Sequence, residues 1–409
     1  MKILIKKEYI FVVGFLSLFI SYYFGENSSG GAYLDFISTK KFIDAFDDGM
    51  LDGINWFLSF GQIHLPFFYL IKSILRNFFS QIEIQIFYIF ISSMVPLVFY
   101  KILKKKYFNT DKYYLFLLSL IIFLSPYFRS SAIWVTNDNL ALLFFLVSLY
   151  YFLCFQTKNK KYLFYAFLSF LFLILASYIR QNYAFFGIYY FYYFFKKLEI
   201  LNFIYLNILN ILISSPVLIY LYFFLSKEKS EVSFTRDTIS FDVIFTILVF
   251  SSLYLFYLIP IIFNFLLKSN IKDIIRESRF VTYTLFIFFI VLSIFYTIPD
   301  ILFGGGVFYK FSQLINVNLF FIFSFLGLFF LFIFNKINLD NCLLYIILVI
   351  SFPLIYVYQK YYDPLIYIVF FVLINSDPLK NLIFRKNLSI LSLYLYLGSF
   401  LIFSIFYNS

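Results

Sequence analysis

Between residues 25 and 80 the chain gathers five aspartates and its single histidine: Asp35, Asp44, Asp47, Asp48, Asp52 and His64. A carboxylate held at a membrane surface can take the proton of a sugar hydroxyl and turn it into a nucleophile toward an activated anomeric carbon. Asp35, which follows Tyr33-Leu34 soon after the first apolar run, is the candidate base. Asp44, Asp47, Asp48 and Asp52 read as solvated acids of an exposed turn. The run DDGMLDG lacks the D-x-D-x-D-G-x5-E spacing of a calcium loop, so it makes a weak cation site. One histidine excludes a multi-histidine metal centre. His64, two residues before Pro66, serves either as a structural hydrogen-bonder or as a catalytic or substrate-binding group.

Further polar corners interrupt the apolar sequence. Arg129 and Asp138 flank the segment from Ser130 to Asn137, at what the pattern makes a membrane edge, where a charge is costly unless paired or functional. Arg180-Gln181-Asn182 separates two apolar runs, and a guanidinium fork there suits a phosphate. Gly304-Gly305-Gly306, followed by Lys310, lets backbone approach a ligand closely, but it is no nucleotide fingerprint because no strand precedes it. Tyr358 to Asp363 adds Lys360, Asp363 and three tyrosines. Asp35 is thus the catalytic candidate, and His64, Arg129, Asp138, Arg180, Gln181, Lys310, Lys360 and Asp363 are the substrate-binding candidates.

The elements that must hold these residues are membrane helices. The 409 residues are 63% hydrophobic and 13% charged, far from soluble composition. Apolar runs near 9–24, 82–100, 113–128, 139–156, 162–178, 183–195, 200–225, 241–264, 280–298, 315–334, 342–357, 364–375 and 388–407 predict an all-α polytopic bundle of about eleven to thirteen spans. It reads as one integral membrane domain, 1–409, with 25–80 as its first outer loop. Two interfacial helices are expected in that loop, over 35–46 and 65–79. With Met1 in the cytoplasm, roughly two thirds of the 32 Lys and Arg fall inside and roughly two thirds of the 21 Asp and Glu outside. The net charge of +11 is therefore a topology signal and no sign of nucleic acid. The N-terminal segment, without a small-residue cleavage site, reads as an uncleaved span. Cys154 and Cys342 suggest neither a disulfide framework nor a metal cluster.

An acidic first outer loop behind span one, followed by charged outer corners, resembles the GT-C membrane glycosyltransferases, and most closely their dolichyl-phosphate-glucose-dependent α-1,2-glucosyltransferases. Tyr33-Leu34-Asp35 stands where that family carries Y-M-D-E. The stretch from Trp56 to Tyr69 is similar to its W-D-P…I-T-T-x-P-G-L-Y, Trp134 to Asp138 to its Y-Y-T-D corner, and Arg180-Gln181-Asn182 to its R-Q-T-N. Gly304 to Gly306 and Tyr358 to Asp363 look like weaker echoes of two later loops. The resemblance implies inverting transfer from a polyprenyl- or dolichyl-phosphate sugar to a glycan or lipid-linked acceptor. It makes Asp35 the base, Arg180 a phosphate ligand and Asp138 an acceptor-side or structural acid. Phe36 and Phe57 stand where the family has acids. No cofactor is assigned, and a divalent cation, magnesium or manganese, stays open.

A lipid-phosphate donor lives in the bilayer and needs no nucleotide-binding domain, which fits the pattern. The alternatives are a polysaccharide polymerase of the O-antigen type, which would more naturally carry its largest polar loop late, and a transporter or lipid flippase, which would favour repeated halves and mid-span charges. The composition leans to a bacterial plasma-membrane protein with its site on the outer face.

Overall fold

The computed structural model describes residues 6–60, 65–157, 161–226, 242–267, 275–276, 278–301, 304–335, 338–352, 356–376 and 387–408; the candidate residue His64 lies outside them. The described residues form helices and turns with no strand, an all-α bundle as the composition predicts. The chain divides into two compact units, residues 1–237 with 398–409, and residues 238–397.

The first unit begins with α1 (Lys7–Tyr23) and continues into three short helices, α2 (Ala32–Asp44), α3 (Met50–Phe60) and α4 (Phe67–Arg76). Then come α5 (Gln81–Lys106), α6 (Lys112–Leu120), α7 (Pro126–Trp134), α8 (Asp138–Gln156), α9 (Tyr162–Ile179), α10 (Phe186–Lys197) and α11 (Ile200–Ser226). The second unit holds α12 (Val243–Leu266), α13 (Arg279–Phe295), α14 (Gly306–Ile315), α15 (Leu319–Phe334), α16 (Leu339–Ile350) and α17 (Leu365–Ile368). The last helix, α18 (Asn387–Asn408), passes from the second unit into the first at Gly398.

Six helices among the described residues are long and apolar enough to cross a membrane: α5, α8, α9, α11, α12 and α18. Three shorter apolar helices are α13, α15 and α16. The run expected as a span at 113–128 differs: α6 and α7 meet at a 67° bend. Ser125 and Pro126 make that break, because proline at the first helical position starts a new helix and the Ser125 hydroxyl accepts the Phe128 N–H at 3.0 Å. The run at 183–195 becomes a helix of 12 residues, and that at 364–375 an α-helix of 4 residues continued by a π-helical segment of 5, both too short for roughly 20-residue spans.

In the first unit, α8 packs along both α5 and α9, whereas α11 leaves most of its apolar surface outward, as a lipid-facing helix does. α5 starts on a capping box, Ser80 with Glu83, and ends on Lys104, Lys105 and Lys106, which suit the negative pole of the helix. In the second unit α12 is the buried centre, packed by α14 and α15.

The segment 25–80 holds three helices where two are expected. α2 and α4 are joined through an aromatic cluster in which Phe42 contacts Trp56, Phe57 and Tyr69. Arg76 pairs with both Asp44 and Asp47, tying the ends of α4 and α2. These two acids therefore serve the loop's own structure. Asn408, at the end of α18, donates its amide to the Ser28 carbonyl at 2.9 Å. It sits so close to Gly30, which has φ +76°, that a Cβ there would lie 2.6 Å from the Asn408 side chain.

Candidate functional site

Three of the sequence-selected groups converge on one tyrosine. Asp138, in the first turn of α8, forms an ion pair with Arg180 at 2.5 Å, with side chains 28% and 10% exposed. Asp35 sits half-buried in the first turn of α2. Tyr69 of α4 is buried, and its hydroxyl feels all three. Burial pushes its pKa well above the usual phenol value, Arg180 pulls it down, and Asp35 and Asp138 push it further up. Tyr183, just past Arg180, is likewise raised by burial and acted on by Arg180 and Asp138. Residues from three separate corners of the sequence therefore share one electrostatic neighbourhood.

The corner from Trp134 to Asp138 is shaped by groups that sequence reasoning did not select. Val135 adopts a left-handed conformation, φ 49° and ψ 49°, which is an outlier for a β-branched residue. It turns the chain from α7 into α8. α5 fixes this turn from below: Gln85 donates to the Ile133 carbonyl at 3.3 Å, and Tyr88 donates to the Thr136 carbonyl while accepting the Leu140 N–H. Asn139 donates to Ser92 at 3.0 Å and to the Phe128 carbonyl at 2.9 Å. Thr136 donates to the Asp138 carboxylate at 2.9 Å, so the acid is oriented from one side while Arg180 holds it on the other. The signal in the sequence was the row Gln85, Tyr88 and Ser92, polar positions three and four apart on one face of an apolar helix.

Arg129 does not join this neighbourhood as a ligand grip. All its donors are taken: Nε by Glu26 at 3.0 Å, Nη1 by the Ser17 hydroxyl and the Phe123 carbonyl, and Nη2 by Glu26 at 2.9 Å, the Ser17 carbonyl and Ser21. The pair is buried, with side chains 7% and 6% exposed. Burial alone would raise the Glu26 carboxyl, but Arg129, Ser21 and Ser28 outweigh it and hold the pKa below the usual carboxylate value. Trp134 donates its indole N–H to the Glu26 carbonyl at 2.9 Å, which joins this tie to the corner above. The expected substrate contact is a structural staple between α1 and α7, because each guanidinium N–H already has an internal acceptor.

The positions where the resembled family carries acids offer no oxygen ligands. Phe57 is fully buried against Phe42, Phe46 and Tyr69. Phe36 lies against Trp134. Among the described residues no group of three or more His, Cys, Asp or Glu is placed to hold a metal ion.

Gln181 is half-buried beside Arg180. Lys310, Lys360 and Asp363 belong to the second unit. Lys310 is exposed on α14, Lys360 lies with its ammonium 5.4 Å from the Tyr358 ring centre, and Asp363 is buried. The two late loops that carry them meet: Gly305 N–H donates to the Val357 carbonyl at 2.8 Å, and the Gln359 side chain accepts from Val307 and donates to Tyr257. The three glycines, at φ 93°, 73° and 79°, thus bring backbone close to the chain's own segment around Val357, where the sequence suggested a ligand. Gly304→Ala places a Cβ 3.0 Å from the Val357 carbonyl oxygen at a φ that L-residues avoid. It is expected to destabilise the protein by about 1–3 kcal/mol, seen as a lower melting temperature in detergent; an unchanged transition would show that the loops can part freely.

Comparisons with protein-family models, curated proteins and solved structures find no match to this chain.

Proposed function

We propose that this protein is a multi-pass membrane glycosyltransferase that transfers a sugar from a polyprenyl- or dolichyl-phosphate donor to a lipid-linked or surface-glycan acceptor, as in polysaccharide assembly. Its site faces the outer side of a bacterial plasma membrane, with the N-terminus in the cytoplasm. The observation that carries the reading is the Asp138–Arg180 ion pair, which with the half-buried Asp35 lies within electrostatic reach of the buried Tyr69.

The roles follow from charge and position. Asp35 takes the proton of the acceptor hydroxyl as that oxygen bonds to the anomeric carbon and the lipid phosphate departs with the bonding pair. Substitution at an anomeric carbon passes through an oxocarbenium-like state, so the two tasks are deprotonating the acceptor and stabilising the leaving phosphate. Arg180, held in place by Asp138, stabilises the phosphate. Apolar helix surface accommodates the lipid chain.

The test is direct. The protein, purified into nanodiscs, is offered radiolabelled polyprenyl-phosphate hexoses with lipid-linked glycan acceptors, and sugar transfer is followed. Turnover lost in Asp35→Asn supports the reading; absence of both donor binding and transfer in the wild type removes it in favour of a polymerase or transporter. Arg180→Ala is expected to raise the KM for the donor about tenfold or more, with a smaller change in kcat. An unaltered KM would return Arg180 to a purely structural partnership with Asp138.

A further inference from the structure

α4 carries a buried stripe, Phe68, Tyr69, Lys72 and Ser73, whose fourfold spacing places Phe68 and Lys72 on one face. A lysine does not belong there by pattern. Lys72 is only 3% exposed. Its ammonium makes one long hydrogen bond, 3.4 Å to the carbonyl of the left-handed Val135, and lies 5.7 Å and 5.6 Å from the ring centres of Phe36 and Phe68. Among the described residues no carboxylate pairs with it. Among the described residues, the three donors of this buried cation are met by one weak acceptor and two aromatic faces. Leaving such a charge uncompensated costs several kcal/mol, so its retention calls for an anion supplied from outside.

The position limits what that anion is. Phe36 is the neighbour of Asp35, Tyr69 lies one turn back on α4, and Val135 begins the corner that ends at Asp138. Arg180, the other cation here, already has the Asp138 carboxylate at 2.5 Å. We infer that Lys72 is a second cation, in addition to Arg180, for a phosphate-type oxyanion bound in this neighbourhood, its ammonium donating to the anion's oxygens. The assignment of that oxyanion to a lipid phosphate rests on the function proposed above; the affinity for the oxyanion itself does not.

Burial, with no carboxylate acting on it, pushes the Lys72 amine down to about 8. The ammonium form binds the anion, so affinity is full below that value and declines as the pH rises through it. On α4 and on the segments that flank the contacts of Lys72, the described ionisable groups are Asp35 on α2, Tyr69 and Arg76 on α4, Tyr88 on α5, Asp138 on α8 and Arg180 at the end of α9, and none of them acts measurably on the Lys72 amine. Carboxylates and guanidinium groups ordinarily keep their charge between about pH 7 and 9, and phenols titrate only near about 10.

Two probes, citronellyl phosphate and inorganic phosphate, are titrated calorimetrically into the full-length protein in phosphatidylcholine nanodiscs. Lys72→Met is expected to weaken citronellyl phosphate about 10–100-fold, Lys72→Arg to retain binding within a few-fold, and the melting temperature of Lys72→Met to stay level or rise, because a buried unpaired charge is gone. Wild-type affinity is expected to fall several-fold between about pH 7 and 9, and that of Lys72→Arg to stay constant over the same range. Unchanged affinity in Lys72→Met overturns the inference. So does loss of binding in both variants together with a clearly lower melting temperature, which would make Lys72 only a tie to Val135. Tighter binding of citronellyl phosphate than of inorganic phosphate identifies a lipid source; equal binding identifies a free oxyanion and keeps the role of Lys72. If neither probe binds the wild type, the inference fails, and sugar transfer by wild type and Asp35→Asn decides the glycosyltransferase reading separately.

Discussion

Asp35→Asn is expected to lower sugar transfer by about 10²–10⁴-fold, the range a positioned general base supplies. The substitution keeps the shape of the side chain and removes its basicity. It leaves the fold nearly untouched: Asp35 is half-buried in the first turn of α2, where loss of a favourable charge at a helix N-terminus costs about 0.3–1 kcal/mol. Donor affinity should change little, because the proton is taken from the acceptor. The measurement is single-turnover transfer of radiolabelled sugar at saturating donor, with melting temperature as the control. Full activity in Asp35→Asn would sink the assignment of the base, and loss of protein from the membrane would move Asp35 to a folding role.

Arg129→Met is expected to have the largest effect on stability, about 3–5 kcal/mol, because it strands the Glu26 carboxylate in a buried site. The paired variant Glu26→Met with Arg129→Met should recover most of that loss, since replacing both ions removes two desolvation penalties as well as their attraction. Thermal unfolding in nanodiscs checks both. A wild-type transition in Arg129→Met would mean that the staple between α1 and α7 contributes nothing. A stable double variant that still binds donor would confirm that Arg129 touches no substrate; one that is stable and blind to donor would restore it as a ligand. The pH dependence follows from Glu26. Its carboxyl is depressed in the folded state, so its contribution is full above the ordinary carboxylate range and is lost as the pH falls through that range toward the depressed native value. Wild-type stability should therefore decline with acid more steeply than that of the double variant.

The long helices were legible because uninterrupted apolar runs of about 20 residues have one stable arrangement in lipid. α5, α8, α9, α11, α12 and α18 follow those runs closely. The bend at Ser125 could be read only by weighing a Ser-Pro step against the apolar content on either side. Asp35, Asp138 and Arg180 were legible as polar corners, and their convergence on Tyr69 was not, since nothing local connects residues so far apart. Arg129 misled for the same reason: its partner Glu26 lies 103 residues away and was not recognised as an inward-facing acid. Lys72 was visible in principle, as a cation interrupting the apolar stripe of FFYLIKSILR, but the pattern of an interfacial helix does not reveal which of its faces the rest of the chain covers. Gly304 to Gly306 were correctly read as a place of close approach, with the wrong object approaching.

The contact between Asn408 and Ser28 has a consequence for how the chain threads the bilayer. Ser28 lies beyond the end of α1 opposite to Lys7, and Asn408 touches it directly. If the 17-residue α1 crosses the bilayer, Lys7 and Asn408 would stand in different compartments, and the polypeptide would traverse the bilayer an odd number of times between them, whichever way round it is inserted. A reporter attached after the final helix would accordingly share the compartment of the loop that carries Asp35.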